Sequence, residues 1–208
     1  MDRSSGQEAG RLGLLGGTFD PIHIGHLVAA AEAIHRFELD RCVLVPTGRP
    51  WQKSDYSDPE DRMMMTTLAS ATHPRLSVSR IEVDRQGPTY TVETLETFRG
   101  FFPDAELYFI VGTDAVAELG TWHRIESLAG LADVIAVTRP GYEMLEGDTP
   151  VGWPQVHMMA IPGLAISSTG IRRRVAEGSP IDYLVPSEVA RFIRDRGLYM
   201  DSREARGA

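Results

Sequence analysis

The sequence predicts an α/β fold, a doubly wound parallel sheet with helices on both faces, and three observations carry that expectation. Short apolar runs recur as candidate strands at Leu12–Leu15, Cys42–Val45, Leu107–Val111, Val134–Val137 and Val156–Ile161. Such runs, apolar without strict alternation, suit strands covered on both faces. Stretches rich in helix formers separate them, which is the β-then-α order of a parallel sheet. Finally, the runs end in glycine, proline or polar residues (Gly16-Gly17, Pro46, Gly112 to Asp114, Arg139). In a Rossmann-like sheet these strand ends share one edge, where ligands bind at the switch in strand order.

Taken in order, Leu12 to Gly17 is the first strand, and Leu27 to Phe37 (LVAAAEAIHRF) continues a helix that begins near His23. After the strand at Cys42–Val45, Arg49 to Pro59 is a polar loop. Pro59 to Ala71 reads as a helix, with proline at its start, acids in its first turn, and Met63, Met64 and Met65 filling core. Leu76 to Ile81 alternates as a strand, and Thr91 caps a helix to Phe101. Short helices follow at Ala115–Leu119 and Ile125–Leu131. Glu143 to Pro154 is an acidic surface loop, and helices close the chain at Ser168–Glu177 and Pro186–Arg196.

Length and charge bound the function. The 208 residues suit one domain, residues 11–200, with disordered tails at 1–10 and 202–208. A formal net charge of −8 argues against nucleic acid or an anionic membrane as partner. Cys42 is the one cysteine, so no internal disulfide forms, and its apolar neighbours make it a buried, inert thiol. No apolar run reaches membrane-spanning length and no signal core precedes Leu12. The expected setting is cytoplasmic and soluble; a homo-oligomeric state is left open.

Two stretches carry chemistry. In Gly16 to His26 (GGTFDPIHIGH) a strand runs through a glycine turn into a helix N-terminus, whose free amides and dipole favour an anion. Glycine permits close backbone approach to a phosphate, and His23 and His26 lie on one helix face. In Ile166-Ser167-Ser168-Thr169, a second helix start offers three hydroxyls, with Arg172 one turn on to meet the same anion. Arg173 and Arg174 point elsewhere and read as solvated surface. Two anion sites suit a polyphosphate better than a monophosphate.

The H-x-G-H turn resembles the nucleotidyltransferase superfamily, and the longer string GGTFDPIHIGH is similar to the bacterial nicotinate-mononucleotide adenylyltransferase family. The resemblance spans Gly13 to Tyr199 and implies an ATP site at Gly16, Gly17, Thr18, Phe19, His26, Gly112, Asp114, Arg139, Ile166, Ser167, Ser168, Thr169 and Arg172. It places the ISST helix at the opposite side of the triphosphate from the H-x-G-H turn, Asp114 on a ribose hydroxyl and Arg139 near the ATP. Nicotinate mononucleotide falls to Asp20, Lys53, Thr89, Tyr90, Thr91, Trp122 and His123, with the Trp122 ring stacked on the pyridine and backbone amides facing its carboxylate. Lys53 is the chain's only lysine; its run Pro50-Trp51-Gln52-Lys53 stands where the family shows Pro-Pro-His-Lys, so Trp51 and Gln52 depart.

The implied reaction is in-line attack of the mononucleotide 5′-phosphate on the α-phosphorus of ATP, giving deamido-NAD and pyrophosphate. The nucleophile is already an anion, so positioning and charge stabilisation do the catalysis, through His23, His26, Lys53 and Arg172. No metal ligand cluster is expected; Mg²⁺ arrives with ATP, held by phosphates and water. Phosphopantetheine and nicotinamide-mononucleotide adenylyltransferases share H-x-G-H, but Thr89–Thr91 and Trp122 argue for nicotinate. Class I aminoacyl-tRNA synthetases share the literal HIGH string, yet this chain is short, acidic and without a lysine-rich second signature. A nucleotide sensor without catalysis stays open through the altered lysine loop, whereas a purely structural module leaves the strand-end residues unexplained.

Overall fold

Consecutive side chains of a strand leave on opposite faces, and here both faces are apolar. Leu14 packs with Val43, Val45, Leu107 and Phe109, while its neighbour Leu15 packs with Leu44, Ile110 and Ile135 on the other side. The computed structural model describes residues 10–48, 56–138 and 154–200. Its six strands are β1 (Arg11–Gly17), β2 (Arg41–Pro46), β3 (Leu76–Val78), β4 (Glu106–Gly112), β5 (Asp133–Thr138) and β6 (Val156–Ala160). They form one all-parallel sheet in the order β3-β2-β1-β4-β5-β6.

The intervening helices are α1 (Ile24–Arg36), α2 (Pro59–Ser70), α3 (Thr91–Phe101), α4 (Thr113–Ala117), α5 (Ile125–Leu128), α6 (Ser168–Ala176) and α7 (Ser187–Asp195). One face of the sheet is covered by α1, α2, α6 and α7 through Ala30, Ile34, Met65, Ile171, Val189 and Ile193. The other is covered by α3, α4 and α5 through Leu95, Phe98, Val116, Ile125 and Leu128. The order reverses between β1 and β4, which pair from Arg11 with Glu106 to Leu15 with Ile110. Because every strand runs the same way, the turns after β1, β2 and β4 open onto one edge at that switch point.

Local expectations fail where the chain meets an edge or solvent. β3 stops at Val78 rather than Ile81: beyond the Ser79 amide, which still pairs with Leu44 O at 3.0 Å, a turn closes with the Asp84 amide on Arg80 O. Tyr90, not Thr91, is the N-cap of α3, and it caps with no side-chain bond. α5 ends at Leu128 rather than Leu131. On α2, Met63 and Met65 enter the core, but Met64 is 47 % exposed because three consecutive helical residues cannot share one face. The proline start of α2 holds, with Asp58 capping the Glu60 amide at 2.8 Å.

Candidate active site

The turn after β1 is built around aromatic rings. A Cβ on Gly17 would stand 2.8 Å from the Phe19 ring and one on Gly16 would stand 2.9 Å from Phe109, so the glycines make room for side chains. Phe19, at φ 50°, is 2 % exposed, and its ring meets the His26 ring edge-on with centroids 5.0 Å apart. His23 is the N-cap of α1 and lies buried against His26, their rings stacked 3.7 Å apart. The His23 amide donates to His26 Nδ1 at 3.2 Å. An accepting Nδ1 places the neutral ring's proton on Nε2, which makes that nitrogen the ring's donor. The Ile24 amide donates to Leu184 O at 2.9 Å, so two of the α1 amides expected to meet an anion already have protein partners.

The start of α6 sits on this turn. Ser168 Oγ donates to Pro21 O at 2.9 Å, and Arg172 Nη1 donates to Asp20 O at 2.6 Å. The turn after β1 and the start of α6 are therefore joined by hydrogen bonds through Pro21 and Asp20. The three hydroxyls are also engaged: Ser167 Oγ accepts the Gly170 amide at 3.1 Å as an N-cap, Ser168 holds Pro21, and Thr169 Oγ1 accepts from Arg172 Nη2 at 3.3 Å. Beside them, Ile166, Ser167, Gly170, Arg173, Arg174 and Tyr183 line a cleft of about 610 Å³. Arg174 is drawn to Pro180 O at 2.8 Å, and is not simply solvated.

Asp20 faces inward. It is 1 % exposed, with Oδ2 accepting the Ser57 amide at 3.2 Å and Oδ1 accepting the Tyr199 hydroxyl at 2.6 Å. A carboxylate so placed ties segments together. Burial, and then the bond to Asp20, pushes the Tyr199 phenol up from its ordinary value. No local motif in the sequence singles out Arg62, which is nevertheless buried beside the turn. At 1 % exposure its guanidinium donates to the carbonyls of Ser57 (3.1 Å), Thr18 (2.9 Å), Thr47 (2.6 Å) and Gly48 (2.8 Å). Burial lowers its pKa, and the nearby Asp20 charge opposes that shift. Hydrogen bonds from a charged donor contribute about 1.5–3 kcal/mol each, which compensates a buried cation. The signal lay in spacing: Arg62 shares the buried stripe of Met65, Thr66 and Ala69.

A second cavity, about 440 Å³, is lined by Thr89, Tyr90, Thr91, Trp122 and His123, together with Ala115, Glu118 and Thr121. The two segments expected to hold the mononucleotide, 30 residues apart in sequence, thus meet at one place. Trp122 is half-buried and held edge-on by Phe109 at 5.8 Å, and the Tyr90 and His123 rings lie 4.4 Å apart. Tyr90 leads into the N-terminus of α3, whose dipole favours a carboxylate. Glu82, behind Thr94 at 2.8 Å from Oγ1, is buried, and desolvation pushes its carboxyl up.

The cytidylyltransferase-like family profile matches residues 14–174. A "Probable nicotinate-nucleotide adenylyltransferase" of Saccharopolyspora erythraea is 50 % identical over 199 residues, covering 95 % of this chain and 93 % of the relative. The protein of the same description from Streptomyces coelicolor is 54 % identical over 187 residues, covering 89 % of this chain and 98 % of the relative. The chain belongs to the nicotinate-nucleotide adenylyltransferase family.

In fold, this family member is similar to the Plasmodium falciparum nicotinic acid mononucleotide adenylyltransferase complexed with NaAD (TM-score 0.75, 20 % identity, 91 % of this chain and 97 % of the other). Of the remaining site residues, Gly112 caps α4 in open space. Lys53 and Arg139 lie outside the described residues, as do Trp51 and Gln52, and the side chain of Asp114 is likewise not described.

Proposed function

We propose that this chain joins ATP and nicotinate mononucleotide to give deamido-NAD and pyrophosphate, a step of NAD biosynthesis. The observation that carries the choice of acceptor is the 440 Å³ cavity, where Trp122 offers an aromatic surface beside the N-terminus of α3. A flat heteroaromatic ring gains stacking energy there, and a ring carboxylate meets helix amides that a neutral carboxamide would use less well. The relatives at about 50 % identity, described as nicotinate-nucleotide adenylyltransferases, support the same acceptor.

An oxygen of the mononucleotide 5′-phosphate attacks the α-phosphorus, the bond from that phosphorus to the bridging oxygen breaks, and pyrophosphate leaves. His26 Nε2–H, set by the Nδ1 bond to the His23 amide, donates to an α-phosphate oxygen as charge develops. His23 stacks on that ring and is assigned to the β- or γ-phosphate by the resemblance. Arg172 and Lys53 add positive charge on the leaving side. Mg²⁺ would arrive with ATP, held by its phosphates and water. Small nucleotides in a cytoplasmic setting are the partners proposed; among the described residues no helix is long and apolar enough to cross a membrane.

Pyrophosphate release with Mg-ATP tests this, with nicotinate mononucleotide, nicotinamide mononucleotide and phosphopantetheine run in parallel. Fast release with the first alone is expected. A preference for either other acceptor would refute the pocket assignment, and silence with all three would refute the transfer.

A further inference from the structure

Three carbonyls of the turn after β1 are drawn toward protein donors: Thr18 O by Arg62 at 2.9 Å, Asp20 O by Arg172 at 2.6 Å, and Pro21 O by Ser168 at 2.9 Å. A trans peptide is planar, so a carbonyl fixed in one direction sends the next N–H in the other. The Thr18–Phe19 bond is trans, and Arg62 lies in the interior at 1 % exposure. The Phe19 amide is therefore turned away from the interior. The same guanidinium holds Thr47 O and Gly48 O, where the chain leaves β2 beside β1, and so fixes two strand-end segments against each other.

We infer that Arg62 is a positioning residue for adenylyl transfer: its buried fork keeps the Thr18 carbonyl inward and presents the Phe19 amide to a phosphate oxygen of ATP. The inference rests on the adenylyl-transfer reading of this site. Arg62 touches no reacting atom; it sets the polarity that an approaching anion meets, amide rather than carbonyl. A lysine retains the charge, but one ammonium cannot span carbonyls contributed by Thr18, Thr47, Gly48 and Ser57 in the way a planar fork does.

The test uses the full chain as wild type, Arg62→Lys and Arg62→Gln, in two measurements. In steady state, Arg62→Lys should lower kcat at least about tenfold while KM for nicotinate mononucleotide stays within about twofold, as expected when a reacting group is misplaced. A merely structural role would lower thermal stability without that split, because the mononucleotide cavity is built from elements that Arg62 does not contact. In hydrogen exchange on the wild type, a non-hydrolysable ATP analogue should slow the Phe19 amide, and Arg62→Lys should lose that protection. Wild-type kcat in folded Arg62→Lys, or an unprotected Phe19 amide in the ATP-bound wild type, overturns the inference. Should both variants fail to fold, the wild-type exchange result decides alone. Wild type that binds the analogue but releases no pyrophosphate defeats the functional reading and leaves the amide measurement to judge Arg62; wild type that does not bind it defeats both.

Discussion

Tyr199 donates its hydroxyl to Asp20 Oδ1 at 2.6 Å, across 179 positions of sequence. The bond carries the residues after α7 back to the turn after β1, and Arg196 adds a second tie to Asp61 of α2 at 2.9 Å. Asp20 in turn accepts the Ser57 amide, which leads into the same helix. The turn after β1 is thus held from the C-terminal side as well as from α2 and α6.

Replacing Tyr199 with Phe removes a donor to a buried carboxylate. A hydrogen bond to a charged group contributes about 1.5–3 kcal/mol, so a melting temperature lower by roughly 3–12 °C is expected in a chain of this size. The pH dependence has a definite sign. Burial raises the Tyr199 pKa in the folded protein, so its contribution is complete below the unfolded phenol value of about 10 and is lost as pH rises beyond it. Denaturant titrations across pH 8 to 11 should show a shallower alkaline decline in Tyr199→Phe; an unchanged slope would exclude this role.

Cys42 gives the same sign in an earlier window. Its thiol is wholly buried and is pushed up to about 12 by desolvation. Stability from the buried neutral thiol is complete below the unfolded value of about 8.5 and falls at up to about 1.4 kcal/mol per pH unit toward 12. Cys42→Ala should flatten the slope between pH 8.5 and 11 while lowering stability near neutrality through the lost packing. In the wild type, an aromatic disulfide reagent should label Cys42 only at the rate of unfolding; rapid native labelling would contradict its burial.

What was legible in the sequence was local. The GGTFDPIHIGH string, the strand runs and the ISST helix start each declare themselves within about a dozen residues, and the parallel order follows from their alternation. What was not legible depends on pairs distant in sequence. Nothing near Asp20 announces Tyr199 at 179 positions or Arg172 at 152, and Arg62 reaches Thr18 across 44. Spacing alone cannot show that Asp20 braces the turn or that Gly16 and Gly17 admit the rings of Phe109 and Phe19. For Ser167 and Ser168, capping and inter-loop bonds cannot be distinguished from ligand contacts by spacing.

Gly48 should be intolerant of even one methyl group. A Cβ there would collide with the backbone of Glu82, including its carbonyl oxygen and carbon, and backbone cannot move aside as a flexible side chain can. Overpacking of this kind costs about 1–3 kcal/mol or more, and relief by shifting Gly48 would loosen its carbonyl from Arg62. Gly48→Ala should therefore lower both the denaturation midpoint and kcat. A variant with unchanged stability would show that the Glu82 segment yields freely.

His26 and Trp122 should separate catalysis from acceptor binding. His26→Ala removes the Nε2–H donor together with the Nδ1 acceptor of the His23 amide, and loss of one charge-stabilising donor lowers kcat by about 10²–10³-fold. Trp122 lines the 440 Å³ cavity, and its ring makes an edge contact with Phe109 rather than forming part of the turn after β1. Stacking contributes about 0.5–1.5 kcal/mol beyond burial, so Trp122→Ala should raise KM for nicotinate mononucleotide by about tenfold, with KM for ATP and kcat changed far less. Initial rates with each substrate varied in turn distinguish the two outcomes. If Trp122→Ala instead raised KM for ATP, the cavity beside α3 would have to be reassigned to the nucleotide, and the acceptor sought in the cleft beside α6.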